Sequence, residues 1–194
     1  PFEIKEPAYL LIELDGNDYS ILFDNAEKLN SVFSSYDCGE ILFAESEFEK
    51  NKLWKVRRNI ALAVKSFSIY KEEDTVVPRD KLPDLIKGVK DIGRKYNFKS
   101  ICYGHAGDGN LHVNILKDNL SDHEWKIIIK QGIREVFKLC VKLGGTISGE
   151  HGIGLVQKEF MDIPFSTKLI SLQKGIKKLL DPNNIMNPGK IFPD

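Results

Sequence analysis

The sequence has no net charge, no long apolar run and few cysteines. Its 28 Lys and Arg residues balance 28 Asp and Glu residues in a chain of 194. Dedicated nucleic-acid-binding proteins and polybasic membrane modules use an excess of basic residues to neutralise phosphates, so the composition argues against both classes. No apolar run approaches the roughly 18 residues of a transmembrane helix. We therefore expect a chain that does not span a membrane.

The three cysteines, Cys38, Cys102 and Cys140, are odd in number and far apart. They form no Cys-x-x-Cys pair and have apolar neighbours, which predicts small core residues in a reducing compartment, by default the cytoplasm. The sequence begins at Pro1, and its first seven residues have neither the basic start nor the apolar stretch of a signal peptide. We expect a segment of a longer protein.

Hydrophobic periodicity predicts alternating strands and helices. The predicted extended segments cover residues 8–16, 39–44, 66–78, 99–104 and 111–116, with a short strand near Thr146. The predicted helices cover residues 20–36, 47–65, 81–97, 121–143 and 166–180. Short connections and an apparent hairpin around residue 107 favour an α+β fold, with an antiparallel sheet and helices on one face, over a parallel α/β sheet. The pattern shows no obvious linker, and two β-α-β halves are compatible with a structural duplication.

Two short segments concentrate glycine and histidine. Residues 104–112 have the sequence Gly-His-Ala-Gly-Asp-Gly-Asn-Leu-His, and residues 144–154 have the sequence Gly-Gly-Thr-Ile-Ser-Gly-Glu-His-Gly-Ile-Gly. Glycine lets the backbone turn sharply and approach a ligand, so this density beside titratable side chains indicates a functional site. Neither segment has the pattern of a P-loop or of the dinucleotide-binding fingerprint. The fourth histidine, His123, is predicted to be solvated or to cap a helix.

The first segment predicts a metal site. If residues 107–109 form a turn, His105 and His112 converge across the hairpin, while Asn114 points from the same face as His112. Two imidazoles and one carboxylate, with Glu150 as the preferred candidate, would leave open positions for a substrate. Catalytic zinc sites and iron or manganese sites have this arrangement. His151 then remains as a base.

Three motifs taken together resemble the C-terminal domain of FAD-linked oxidases. They are the two glycine segments and the stretch from Asp181-Pro182 to Asn187-Pro188-Gly189-Lys190, with further matches at residues 53–57 and 73–78. The family includes D-lactate dehydrogenase, the flavin subunit of glycolate oxidase and D-2-hydroxyglutarate dehydrogenase. The resemblance covers essentially the whole chain, residues 1–194, in the family's order.

The resemblance implies a substrate domain of ferredoxin-like α+β type, possibly duplicated. It also implies that an N-terminal domain absent from this chain holds most of the FAD, so that the isolated chain is inactive. The tail, residues 181–194, is expected to pack toward that flavin domain, with Asn187 and Lys190 near the cofactor. Relatives resembling glycolate oxidase imply iron-sulfur partner subunits, and through them a membrane association of a cytoplasmic protein.

Carried over by motif, the resemblance also implies roles for individual residues. The metal, zinc or manganese, would be bound by His105, His112 and Glu150; the catalytic base would be His151; and the substrate-binding residues would be Arg57, Asn114 and Lys71. The substrate would be a 2-hydroxy acid whose α-carbon gives a hydride to the flavin. Ala61 stands where D-2-hydroxyglutarate dehydrogenases are expected to have a threonine, and Lys71 matches their lysine only with a one-residue gap. A small monocarboxylate such as glycolate or D-lactate is therefore favoured.

Two other functions are compatible with the same residues. A stand-alone metallohydrolase would use the two histidines, the glutamate and His151 to activate water. A non-catalytic interaction module would keep the fold and use the glycines only for its turns.

Overall fold

The computed structural model describes residues 8–193. The chain divides into two compact units, Pro1–Ala63 and Val64–Asp194.

The first unit contains helix α1 (Tyr19–Phe33) and most of helix α2 (Glu47–Phe67), which continues into the second unit. Asp18 caps α1 because its side chain accepts hydrogen bonds from the amides of Ser20 and Ile21. Both helices agree with the periodicity of the sequence. Trp54 on α2 donates a hydrogen bond of 2.9 Å from its indole Nε1 to Oε2 of Glu13.

The strands predicted at residues 8–16 and 39–44 are wrong. Both segments are extended or irregular, and nearly all of their side chains are exposed. Period-two alternation reports how apolar side chains are distributed, but a strand also needs a neighbouring strand for its backbone N–H and C=O groups. In the described part of the chain, neither segment pairs with one.

The second unit contains the sheet and the remaining helices. They are strands β1 (Tyr70–Val76), β2 (Lys99–His105) and β3 (Asn110–Leu116), and helices α3 (Leu82–Tyr96), α4 (Asp122–Lys142) and α5 (Thr167–Leu180). The strands form an antiparallel sheet in the order β1-β3-β2. The N-terminus of α4 has the capping box that Ser121 and Glu124 predict. The predicted fold class, α+β with an antiparallel sheet and helices, is confirmed.

Strands β1 and β2 run in the same direction because each is antiparallel to β3, which lies between them. Together with α3 they form a split β-α-β unit, a building block of ferredoxin-like folds. The strand predicted near Thr146 is reduced to a single antiparallel bridge with Val76. The ferredoxin-like topology as a whole and its duplication stay predictions.

The two faces of β3 differ in chemistry. Leu111, Val113 and Ile115 alternate onto one face, where they pack in a core with side chains of α3 and α4 such as Leu85 and Phe137. The intervening residues of β3 point to the opposite face, and they are also buried. They are the polar residues Asn110, His112 and Asn114, followed at the end of the strand by the apolar Leu116. A buried polar face on a central strand positions the candidate site.

The cysteines are all free, but they do not share one environment. Cys140 is buried in the core and Cys102 is partly buried, whereas Cys38 is exposed. The prediction of a core position is therefore wrong for Cys38, whose apolar neighbours Tyr36 and Ile41 are themselves exposed.

Among the described residues, the structure has no helix whose length and apolar character would let it cross a membrane.

Candidate metal centre

The β2-β3 hairpin brings His105 and His112 to one side of the sheet. Its connection is a short 3-10 turn, Ala106–Asp108, followed by Gly109 in the left-handed conformation with φ 72°. A Cβ at Gly109 would lie 2.0 Å from the carbonyl oxygen of Val77, so only glycine fits this close approach. The rings of His105 and His112 have centroids 6.3 Å apart.

The second glycine segment adds Glu150 and His151 to the same place. Oε1 of Glu150 lies 3.3 Å from Nε2 of His112 and 3.7 Å from Nε2 of His151. The His151 ring stacks on the His112 ring with centroids 5.2 Å apart. The side chain of His112 is buried, whereas those of Glu150 and His151 are about half exposed. The group therefore extends from a buried side chain, His112, to two side chains that solvent can reach.

Two overlapping groups have the chemistry and spacing of a divalent metal site. His105, His112 and Glu150 form one and Glu72, His112 and His151 the other, and the ligand atoms of each group lie within 4.8 Å of one another. In a tetrahedral zinc site with bonds of about 2 Å, two ligand atoms are about 3.3 Å apart. The distance between His112 and Glu150 equals this value. The residues therefore fit a divalent cation, and His112 belongs to both groups.

Glu72 lies behind His112 and was not among the residues predicted from the sequence. Its Oε1 is 3.7 Å from Nδ1 of His112, and its Oε2 accepts a hydrogen bond of 3.0 Å from the hydroxyl of Tyr103. Burial, and then the negative charge of Glu72, raise the pKa of Tyr103 and keep its hydroxyl protonated as a donor. At 3.7 Å the contact is too long for a hydrogen bond, and Nδ1 of His112 has no hydrogen-bond partner among the described residues. In the register of the sheet, Glu72 is paired with Asn114 and Tyr103 with His112, which places Glu72 and Tyr103 on either side of β3.

Asp74 lies beside Glu72 on the same face of β1. One of its oxygens, Oδ2, accepts hydrogen bonds from the backbone amides of Glu150 (2.6 Å) and His151 (2.8 Å) and from the hydroxyl of Ser148 (3.2 Å). Oδ1 accepts a hydrogen bond of 2.6 Å from the side chain of Asn110. Burial raises the pKa of Asp74, but the hydrogen bonds from His151, Glu150 and Asn110 outweigh it and leave the pKa below its usual value.

Asn114 lies on the same face and is fully buried. Its amide makes no hydrogen bond of normal geometry with the described residues, although it is close enough to the Tyr103 hydroxyl to lower the pKa of that group. A buried amide without a partner is costly, because its desolvation is not compensated. Such an amide has donors and an acceptor available for a bound molecule.

The structure does not bring Lys71 to the histidines. Lys71 is one residue before Glu72 and points to the opposite face of β1, where its Nζ lies 3.1 Å from Oε1 of the buried Glu73. Arg57 is partly buried on α2, in the first unit. The assignment of both residues to the substrate stays a prediction.

The tail brings the two predicted cofactor-binding residues together. Nζ of Lys190 donates a hydrogen bond of 2.8 Å to Oδ1 of Asn187, and both residues are exposed. The next residue, Ile191, donates a backbone hydrogen bond of 2.7 Å to the carbonyl oxygen of Gly154. The tail therefore contacts the second glycine segment.

The sequence of this α+β domain, which brings a His/His/Glu group to a polar sheet face, matches a known protein family. Residues 1–191 match the model of the family described as FAD linked oxidases, C-terminal domain, and the chain belongs to this family. It is 35% identical over 188 residues to the glycolate oxidase subunit GlcD of Bacillus subtilis, covering 95% of this chain and 39% of that protein. It is 32% identical over 185 residues to a D-lactate dehydrogenase of Anaerostipes hadrus, with coverages of 95% and 39%.

A third relative is a D-2-hydroxyglutarate dehydrogenase of Stutzerimonas stutzeri, 34% identical over 199 residues, with coverages of 99% and 42%. The chain thus spans about two fifths of the length of these curated relatives. The predicted resemblance to the family is confirmed. The family's description names FAD linked oxidases and not hydrolases.

Proposed function

We propose that the chain is the substrate- and metal-binding domain of an FAD-dependent 2-hydroxy acid dehydrogenase of the glycolate or D-lactate type. The observation that carries the proposal is the convergence of two histidines, a glutamate and an accessible third histidine on one sheet face, in a chain of this family. The relatives named glycolate oxidase and D-lactate dehydrogenase support this substrate class.

His105, His112 and Glu150 would hold the metal, zinc or manganese. When bound, the metal supplies a Lewis acid that lowers the pKa of the substrate hydroxyl, and the FAD of an N-terminal domain supplies the hydride acceptor. The burial of His112 restricts the movement of this ligand, and the carboxylate of Glu72 lies 3.7 Å from its Nδ1. The exposed side chains of Glu150 and His151 leave room for the substrate at the rim.

His151 would act as the base. The substrate's hydroxyl proton goes to a ring nitrogen of His151 while the electron pair of its α-C–H bond leaves as hydride, and the product is a 2-oxo acid. Arg57 would bind the carboxylate, since its planar guanidinium can pair with both oxygens. Asn114 would donate to the substrate from the buried end of the site, because its amide makes no hydrogen bond of normal geometry with the described residues.

Ala61 favours a small monocarboxylate over a dicarboxylate, because it offers no hydroxyl for a second carboxylate. The ion pair of Lys71 with Glu73 adds to this argument, since Lys71 is engaged on the other face of β1. Cytoplasmic localisation, iron-sulfur partner subunits and membrane association through them belong to the same proposal. So does the packing of the tail, residues 181–194, toward the flavin domain.

The test is anaerobic reduction of the flavin in the full-length protein by glycolate, D-lactate or D-2-hydroxyglutarate, measured beside metal content by mass spectrometry. We expect bleaching by a monocarboxylate and one divalent ion per chain. His112→Asn should lose both, because His112 belongs to both ligand groups. The matched control is His123→Asn at an exposed histidine, which should keep both. A wild-type protein without metal, or without reduction by any of the three acids, would refute the proposal.

A further inference from the structure

We infer that Asp74 is a positioning residue that anchors the backbone carrying Glu150 and His151, and so sets the geometry of ligand and base together. This inference rests on the proposed function for the roles of those two residues. Asp74 contacts Glu150 and His151 through hydrogen bonds to their backbone amides. It acts through the main chain.

Asp74 holds two adjacent backbone amides with one oxygen atom. Oδ2 accepts from the amides of Glu150 at 2.6 Å and His151 at 2.8 Å, and the residues are 76 and 77 positions away in sequence. Hydrogen bonds to an ionised acceptor are short and about twice as strong as neutral ones. Because two adjacent amides donate to the same oxygen atom, the backbone of Glu150 and His151 is held in one orientation. The directions in which their side chains point are then fixed as well.

Asp74 is placed for this task by the sheet. It lies directly opposite His112 in the register of β1 and β3. Pairing with β3, the strand that carries His112, therefore also fixes the position of Asp74. The second oxygen of Asp74 is held by Asn110, whose side chain also donates to the carbonyl oxygen of Thr75. The carboxylate is 1% exposed and cannot rotate without breaking these bonds.

Gly149 shows how closely the segment approaches its anchor. A Cβ at Gly149 would lie 2.1 Å from Nδ2 of Asn110 and 2.9 Å from Oδ1 of Asp74. Both distances are too short for a real contact, so the segment reaches the carboxylate only with glycine at this position. Glycine is therefore required by the anchor, independently of any effect on backbone flexibility.

The decisive variant is Asp74→Asn in the full-length protein, which keeps the shape but replaces an acceptor with a donor. The matched control is Thr75→Val, a shape-conserving change at the adjacent residue, whose hydroxyl donates to the carbonyl oxygen of Leu111 on the other face of β1. Three quantities are measured at a temperature well below the unfolding transitions of both variants. They are the metal Kd, kcat at saturating metal, and hydrogen exchange of the amides of Glu150 and His151.

We expect Asp74→Asn to weaken metal affinity by about 10- to 100-fold, the usual effect of losing an outer-shell partner. It should lower kcat even at saturating metal, because His151 loses its anchor too, and it should speed exchange of both amides. Thr75→Val should lower the unfolding temperature without changing any of the three. Ser148→Ala, which removes the longest of the bonds to Oδ2, should give a smaller effect of the same kind.

The inference is overturned if Asp74→Asn has metal affinity, kcat and exchange within twofold of wild type. It is also overturned if Thr75→Val changes all three as much, since that pattern reports general destabilisation. Failure of the proposed function looks different: the wild type then binds no metal or reduces no flavin. In that case exchange of the two amides alone decides whether Asp74 anchors the segment.

Discussion

Glu150 and His151 are neighbours in sequence, and we predict that they have different functions. The two overlapping ligand groups give opposite expectations, because Glu150 belongs to one and His151 to the other. If the first group binds the metal, His151→Asn keeps the metal and loses the base. Turnover then falls by about 10² to 10⁴, the usual contribution of a positioned general base. This corresponds to about 2.7 to 5.5 kcal/mol of transition-state stabilisation.

Glu150→Gln should instead weaken metal binding. Oε1 of Glu150 lies 3.3 Å from Nε2 of His112, and the substitution removes the negative charge of this carboxylate. Added Zn²⁺ or Mn²⁺ should restore part of its activity, whereas no added metal restores His151→Asn. His105→Ala is the companion variant, since His105 belongs to the first group alone. The assay combines metal content with steady-state kinetics of the full-length protein. Loss of metal in His151→Asn with retention in Glu150→Gln and His105→Ala would refute the assignment.

Three further predictions concern the surroundings of the site and the core. Glu72→Gln should weaken metal binding about 10- to 100-fold by removing the negative charge 3.7 Å from Nδ1 of His112, and equal affinity in a metal titration would contradict this. Phe137→Ala should lower the free energy of unfolding by about 3 to 5 kcal/mol, since the ring is fully buried, and a loss below 1 kcal/mol in urea unfolding would contradict it. Burial raises the pKa of Cys140 to about 12, so a thiol reagent at pH 8 should label the exposed Cys38 and leave Cys140 unmodified until the protein unfolds.

The hairpin could be predicted from the sequence because its signals are local. Glycine at the turn and the alternation of Leu111, Val113 and Ile115 fix which face His112 occupies, and the structure has this arrangement. The five helices were also predictable from apolar spacing, to within a few residues at their ends. Both inferences need only the chemistry of neighbouring positions.

Glu72 and Asp74 could not be assigned in this way. They stand in a run of three acidic residues, Glu72 to Asp74, where no alternation of apolar and polar residues separates the faces. Their partners are distant in sequence, and pairing with β3 is what divides the run between the two faces. The strands predicted at residues 8–16 and 39–44 are wrong for a different reason: their apolar residues favour a strand locally, but no partner strand pairs with them among the described residues.

The stretch of residues 150–157 contacts both faces of β1. Asp74 binds its beginning on one face, and on the other face Glu73 accepts a hydrogen bond of 3.0 Å from the side chain of the buried Gln157. Just before this stretch, Thr146 forms an antiparallel bridge with Val76 on the edge of β1 that does not pair with β3. An open strand edge is a template for pairing with another molecule. The same residues that shape the site thus shield this edge, and variants that release the segment should self-associate as well as lose activity.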